Sequence, residues 1–153
     1  MEPADTTGDF SEKILVFADG SRRKVLVTEK ETLLRDGHLI VSRTDPKGVI
    51  THVNNTFVEM SGYSEEELVG EPHYILRHPD MPAAAFKDLW VTIQKGTKWH
   101  GYVKNLRKDG GYYWVFATVI PNIRKGEIAG YTSVRRKPAR KKVLECIKLY
   151  PNL

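Results

Sequence analysis

Apolar and polar positions alternate with a period of two near the start of the chain, change to a helical period in the middle, and return to a period of two before the end. Runs at 13–17 and 23–28 flank Asp19-Gly20, a dipeptide suited to a tight turn, and predict a β-hairpin. After a polar passage over 29–37, two more strands are predicted at 38–44 and 49–53, joined by the turn Asp45-Pro46-Lys47-Gly48. Over 54–76 the stripe Phe57, Met60 and Tyr63 marks short helices, and Ser64 heads Glu65-Glu66-Glu67-Leu68 as a capping box. The clearest helix is predicted over 82–95, with Asp80 as its cap, Pro82 in its first turn, Phe86, Leu89, Trp90 and Ile93 as its buried face, and Gly96 as its stop. Three strands follow at 99–107, 112–121 and 127–135, punctuated by Asp109-Gly110-Gly111 and Arg124-Lys125-Gly126. Beyond Pro138, Val143, Ile147 and Tyr150 recur at helical spacing and predict a connecting helix over 140–150. This order suits an α+β fold: a five-stranded, mostly antiparallel sheet with helices on one face and a pocket between them, plus an added N-terminal hairpin.

Composition narrows the picture to one domain. A chain of 153 residues with 41% hydrophobic and 28% charged residues builds a single core and leaves no room for a second full domain. The single cysteine, Cys146, excludes an internal disulfide framework and a thiolate zinc site, so an intracellular, cytoplasmic setting is expected. The polar, acidic stretch 1–10 does not read as a secretion signal. No apolar run approaches the roughly 20 residues needed to span a bilayer.

Net charge is +5, with Arg135, Arg136, Lys137, Arg140, Lys141 and Lys142 crowded near the end. Such a run attracts nucleic acid or an anionic membrane, but near a terminus it is more often a solvated face, which is the expectation here. Nucleic-acid motifs are absent from the sequence, and so are a nucleophile elbow and a phosphate loop, so neither nucleic-acid binding nor enzymatic turnover is expected.

The densest chemistry lies in Arg77-His78-Pro79-Asp80-Met81-Pro82, where two prolines fix the backbone of a bend carrying a cation, a titratable ring and a carboxylate. His73, His78 and Asp80 are spaced across a turn in no recognised metal-site pattern, so no metal is expected. Three tryptophans, Trp90, Trp99 and Trp114, offer flat walls, and Asn54, His78 and Asn105 offer hydrogen bonds to a polar edge. That combination suits a flavin, whose ring has an apolar end and a polar edge. Arg77 or a protonated His78 is the expected cation for negative charge gained on reduction.

Over about 36–138 the chain resembles the PAS sensor-domain family. The resemblance rests on Asp45-Pro46-Lys47-Gly48-Val49-Ile50 with Asn54 and Phe57, Ser61-Gly62-Tyr63-Ser64 with Glu67-Leu68-Val69-Gly70, and Lys108-Asp109-Gly110 before Tyr113-Trp114-Val115. A narrower set looks like the flavin-binding PAS domain of bacterial aerotaxis receptors: Gly70-Glu71-Pro72-His73, the bend itself, Ala85-Phe86, Leu89-Trp90, Trp99-His100-Gly101, Val103-Lys104-Asn105 and Gly130-Tyr131. The resemblance implies residues 1–35 as an N-terminal extension, 36–138 as the PAS sensor domain and 139–153 as a C-terminal linker helix. It further implies non-covalent FAD, redox or oxygen sensing in aerotaxis or chemotaxis signal transduction, a homodimer, and a downstream signalling partner, with membrane contact only through a partner or another segment. Residue by residue it points to Asn54, Arg77, His78, Asp80 and Trp99 as main cofactor positions, with His73, Trp90 and Asn105 next; Trp114 completes the candidate walls.

Each position also has a structural reading. Asp80 or Asn54 can cap a helix, Arg77 can pair with Asp80, Trp90 lies on an apolar stripe, and Trp114 can face core or pocket along its strand. Tyr74 departs from the aerotaxis group, which usually has asparagine there. Cys146 follows the sheet, which argues against cysteine-adduct photochemistry of the blue-light sensors. A haem held by His73, His78 or His100 is the alternative cofactor, and a cofactor-free dimerisation module is the alternative class.

Overall fold

The computed structural model describes residues 10–17 and 19–153. The tip of the predicted hairpin at Ala18, and the stretch 1–9 of the predicted extension, lie outside the described residues. Strands β1 (Ser11–Val16) and β2 (Arg22–Val27) form a separate antiparallel pair running from Ser11 opposite Val27 to Val16 opposite Arg22. Asp19 supports the turn by accepting the Ser21 backbone N–H at 2.8 Å and the Ser21 hydroxyl at 2.6 Å.

The main sheet holds β3 (Ile40–Thr44), β4 (Ile50–Val53), β5 (Trp99–Leu106), β6 (Tyr112–Arg124) and β7 (Glu127–Arg136). Its order is β4-β3-β7-β6-β5, and every pairing is antiparallel. Short connections suffice between β3 and β4 and between β6 and β7, while α1 (Asn55–Ser61), α2 (Glu65–Leu68), a 3-10 turn (His73–Leu76) and α3 (Ala83–Gln94) carry the chain across the sheet before β5. The core lies between those helices and the sheet: Ile40, Ile50, Phe57, Leu68, Leu76, Tyr113 and Val115 are each at most 1% exposed.

Side-chain caps account for the starts of α1 and α2. Asn54 caps α1 by accepting Phe57 N–H at 3.1 Å, and Ser64 and Glu67 form the predicted capping box of α2. At α3 the expectation fails: Pro82 takes the capping position and the helix has no side-chain cap. Asp80 sits two residues too early for that role, and the Lys104 ammonium engages its carboxylate at 2.7 Å instead. The predicted Arg77–Asp80 pairing gives way for the same reason.

The last helix, α4 (Arg140–Leu149), packs on the sheet face opposite the other helices, where Val143 and Cys146 cover Trp114. The Tyr150 hydroxyl donates to the Tyr102 carbonyl at 2.6 Å and fastens its end. Ile147, expected on the buried stripe, is 46% exposed; Cys146 and Val143 take the inward positions. The charge run also divides: Arg136 and Arg140 to Lys142 face outward, whereas Arg135 is only 2% exposed on the inner face.

Candidate functional site

A cleft opens between α3, the 3-10 turn and the inner faces of β5, β6 and β7, with about 140 Å³ in which the centre of a water molecule can sit. Its walls are apolar, with four aromatic rings among them. Phe86, Leu89, Trp90 and Ile93 come from one side of α3, Trp99 and Val103 from β5, Ala117 and Val119 from β6, and Tyr131 from β7. Trp90 and Tyr131 meet edge to face with ring centres 5.9 Å apart. Two glycines make this packing possible. A side chain at Gly101 would collide with the Trp99 ring, and one at Gly48, whose φ is +89°, would come within 2.9 Å of the Trp90 ring.

The inner end is polar. Asn105, Ser133, His73 and Arg135 line it. Arg135 donates to the Ser42 hydroxyl at 2.6 Å through Nη2 and to His73 Nε2 at 3.2 Å through Nη1, and its plane lies over the Phe57 ring at 4.6 Å. Among the described residues no carboxylate pairs with it, and its Nε has no hydrogen-bond partner. Burial pulls the Arg135 pKa down to about 10, which still leaves it a cation at neutral pH. His73 is held neutral: burial and then the Arg135 charge bring its pKa down to about 3. Because Arg135 donates to Nε2, the proton of that neutral ring belongs on Nδ1.

The outer end carries Lys47, Tyr74 and Arg77. The Arg77 guanidinium lies 4.8 Å from the centre of the Phe86 ring and 5.6 Å from that of Phe17 at the end of the N-terminal hairpin. Phe17 also packs against Tyr74 at 4.4 Å, so the phenol that departs from the aerotaxis pattern is used at the mouth, and Arg23 of β2 donates to the Ile75 carbonyl at 2.9 Å. Burial lowers the Arg77 pKa.

Five of the nine expected site residues therefore line the cleft: His73, Arg77, Trp90, Trp99 and Asn105. Trp99 has a second use, donating its indole N–H to Asp88 of α3 at 2.9 Å. The other four lie elsewhere. Asn54 spends its amide on the backbone, accepting from Val41 and Phe57 and donating to the Leu39 carbonyl at 2.9 Å. Trp114 alternates to the opposite sheet face and packs under α4. His78 is buried at 3% exposure beside the cleft, where its Nδ1 accepts the Asp80 backbone N–H at 3.0 Å and its ring meets Tyr112 edge to face. Asp80 faces outward to Lys104. Burial and then the Lys104 charge bring the His78 pKa down to about 4, so the protonated cation expected there is replaced by a neutral ring.

Arg135, Ser133 and Tyr131 were the omissions. A signal existed: the period of two places them on one face of β7, and the apolar member, Tyr131, marks that face as inward. Among the described residues no group of three or more His, Cys, Asp or Glu is placed to hold a metal ion.

Comparison with known proteins agrees with the architecture. Residues 50–135 match the family model described as PAS fold. The aerotaxis receptor of Escherichia coli (strain K12) is 47% identical over 127 residues, which is 83% of this chain and 25% of the receptor. The nitrogen fixation regulatory protein of Klebsiella pneumoniae is 27% identical over 106 residues, 69% of this chain and 21% of that protein. The chain thus spans about a quarter of the length of these relatives. Among solved structures, the light state of the blue-light photoreceptor Aureochrome1 LOV superposes with a TM-score of 0.64 at 25% identity, covering 74% of this chain and 88% of that one. With the sheet order, the helices on one face and the match over more than half its length, this chain belongs to the PAS family.

Proposed function

We propose that this chain is a cytoplasmic, FAD-binding PAS sensor of a bacterial aerotaxis- or chemotaxis-type signalling protein, reporting redox state to an output module and performing no turnover of its own. The observation that carries the reading is a cleft with aromatic walls whose inner end holds a buried guanidinium with an unpaired Nε. FAD, when bound, supplies a ring that accepts and returns electrons. Trp90, Trp99 and Tyr131 would flank that ring and keep water from it, while Asn105 and Ser133 would orient its polar edge. Lys47 and Arg77 sit at the open end, where a phosphate-bearing tail would leave the cleft. The likeness to the aerotaxis receptor supports this assignment, and the matched relatives being several times longer supports a separate output module.

The haem alternative is weakened by the histidines themselves. His73 is the one among the cleft-lining residues, and its Nε2 is occupied by Arg135; His78 lies beside the cleft, and His100 stacks on Phe116 on the exposed side. The cofactor-free dimerisation reading draws on the exposed apolar residues Ile14, Val16, Leu144 and Ile147, and a homodimer through them is compatible with flavin binding. Purification of the chain followed by an absorption spectrum tests the proposal. Flavin bands, or their appearance on reconstitution with FAD, are expected; a colourless protein that takes up no FAD overturns it, and a Soret band selects haem.

A further inference from the structure

Arg135 is chemically out of place. Arginine is rarely buried without a carboxylate, because removing its charge from water is costly unless an opposite charge or a full set of acceptors compensates. Here the compensation is partial: one hydroxyl, one imidazole nitrogen and one ring face. Nε remains unpaired, as does that of Arg77 at the open end of the cleft. Such unmet groups at the end of a cleft mark the place where a ligand's acceptor atoms belong.

We propose that Arg135 is the counter-cation of this site: it faces the edge of the bound ring that gains negative charge on reduction and passes that change to the exit helix through β7. The inference rests on the flavin reading above. It moves the charge-balancing role from Arg77 and His78, which the sequence favoured, to a residue in the terminal basic run.

The location fits both halves of the task. Arg135 projects inward beside Ser133 and Tyr131, opposite Ile40 on one neighbouring strand and Ala117 on the other. The next residue, Arg136, points to the other face and lies over the Phe116 ring at 4.8 Å, and α4 begins at Arg140. Three residues separate Arg136 from that helix. When a diffusible reductant adds one electron to the ring and no proton follows, Arg135 is left facing one additional negative charge; no bond of the protein forms or breaks. Its guanidinium would then trade Ser42 or His73 for the ring edge, shifting the end of β7 and with it the seat of α4.

The test compares the full chain with Arg135→Gln and Arg135→Lys, each loaded with FAD and titrated with dithionite against dyes of known potential. For Arg135→Gln the expected result is a loss of affinity at least tenfold greater for the reduced form of FAD than for the oxidised form, equivalent to a potential about 59 mV more negative for a one-electron couple. Arg135→Lys should recover most of that loss, which a purely structural role would not predict. An unshifted potential in flavin-loaded Arg135→Gln overturns the inference while leaving the flavin reading intact; a chain that takes up no FAD overturns both. Should Arg135→Gln not fold, the unaltered chain still decides the matter. Its Arg135 Nε–H resonance, observed by nitrogen-labelled NMR, is expected to shift between oxidised and reduced states, and an unmoved resonance overturns the assignment.

Discussion

The indole N–H of Trp99 donates to the Asp88 carboxylate at 2.9 Å, which fixes a wall of the cleft on β5 to the exposed side of α3. The bond matters because α3 supplies the facing wall through Phe86, Leu89, Trp90 and Ile93. Replacing Asp88 by alanine leaves the indole N–H, on a residue 9% exposed, without its acceptor. The expected cost is about 1–3 kcal/mol of stability. Retention of the bound ring should weaken several-fold as the two walls loosen. Thermal unfolding and FAD titration of Asp88→Ala check this, and Asp88→Asn should recover most of both, since its amide oxygen can still accept.

His73 and His78 predict the pH dependence of stability. Each has its folded pKa brought down, to about 3 and about 4, from the ordinary 6.5. Below 6.5 the unfolded chain takes up protons that the folded chain refuses, so the unfolded state binds more protons and stability falls with acidification. The contribution is fully present above pH 6.5 and is lost progressively from there down to about pH 4 for His78 and about pH 3 for His73. Each histidine adds a slope of at most about 1.4 kcal/mol per pH unit. Urea unfolding at pH 7, 6 and 5 should show a decline steepening over that series; equal midpoints at pH 7 and 5 would refute neutral burial of both rings. His73→Gln should flatten the profile by about half.

The strand and helix positions were legible because hydrophobic period and turn chemistry are local signals. Asp45-Pro46-Lys47-Gly48 and the Ser64 capping box form as their residues dictate. The site was legible in part. Trp90, Trp99 and Asn105 reach the cleft because each sits on the inward phase of its element. What misled is that polar residues in a bend look like ligand groups whether they face a cavity or each other. His78 and Asp80 satisfy the backbone and Lys104, and Asn54 satisfies the start of β3 and the first turn of α1 at once. Arg135 was hidden for the opposite reason: five more basic residues around it present a solvated run, and only the strand phase reveals that one of the six turns inward.

Of the bend residues, His78 and Asp80 should therefore act on the cofactor only through the backbone. The Asp80 side chain is 63% exposed, and its bond to Lys104 ties the bend to β5. Exposed pairs contribute about 0.2–1 kcal/mol. Asp80→Ala should cost no more than that. Lys104→Ala should cost more, because its side chain is 12% exposed and also lies over the Tyr112 ring at 4.3 Å, and a double-mutant cycle should show coupling within the exposed-pair range. The spectrum of any bound flavin should stay unshifted in both variants, because neither side chain lines the cleft. A displaced flavin band in Asp80→Ala with an unchanged melting point would place Asp80 against the ring after all.

The mouth of the cleft offers the sharpest kinetic expectation. Phe17 closes over Arg77 and Tyr74 from a hairpin that lies outside the matched family region of 50–135. Its own anchoring is modest: Leu15, Val25 and Val27 pack with Leu106, and Arg23 holds the Ile75 carbonyl. One cation–ring contact is worth about 0.5–1 kcal/mol at an exposed site. Phe17→Ala should hence change global stability little, while opening the end of the cleft through which, on the proposed flavin reading, a phosphate-bearing tail would leave. The expected result is a dissociation rate for FAD several-fold faster, with a smaller increase for riboflavin, which lacks the tail. Stopped-flow dilution of the loaded protein, followed by the recovery of free-flavin fluorescence, measures both rates. Equal acceleration for the two ligands would mean that Phe17 shields the ring itself, and no acceleration for either would show that the hairpin end plays no part in retention.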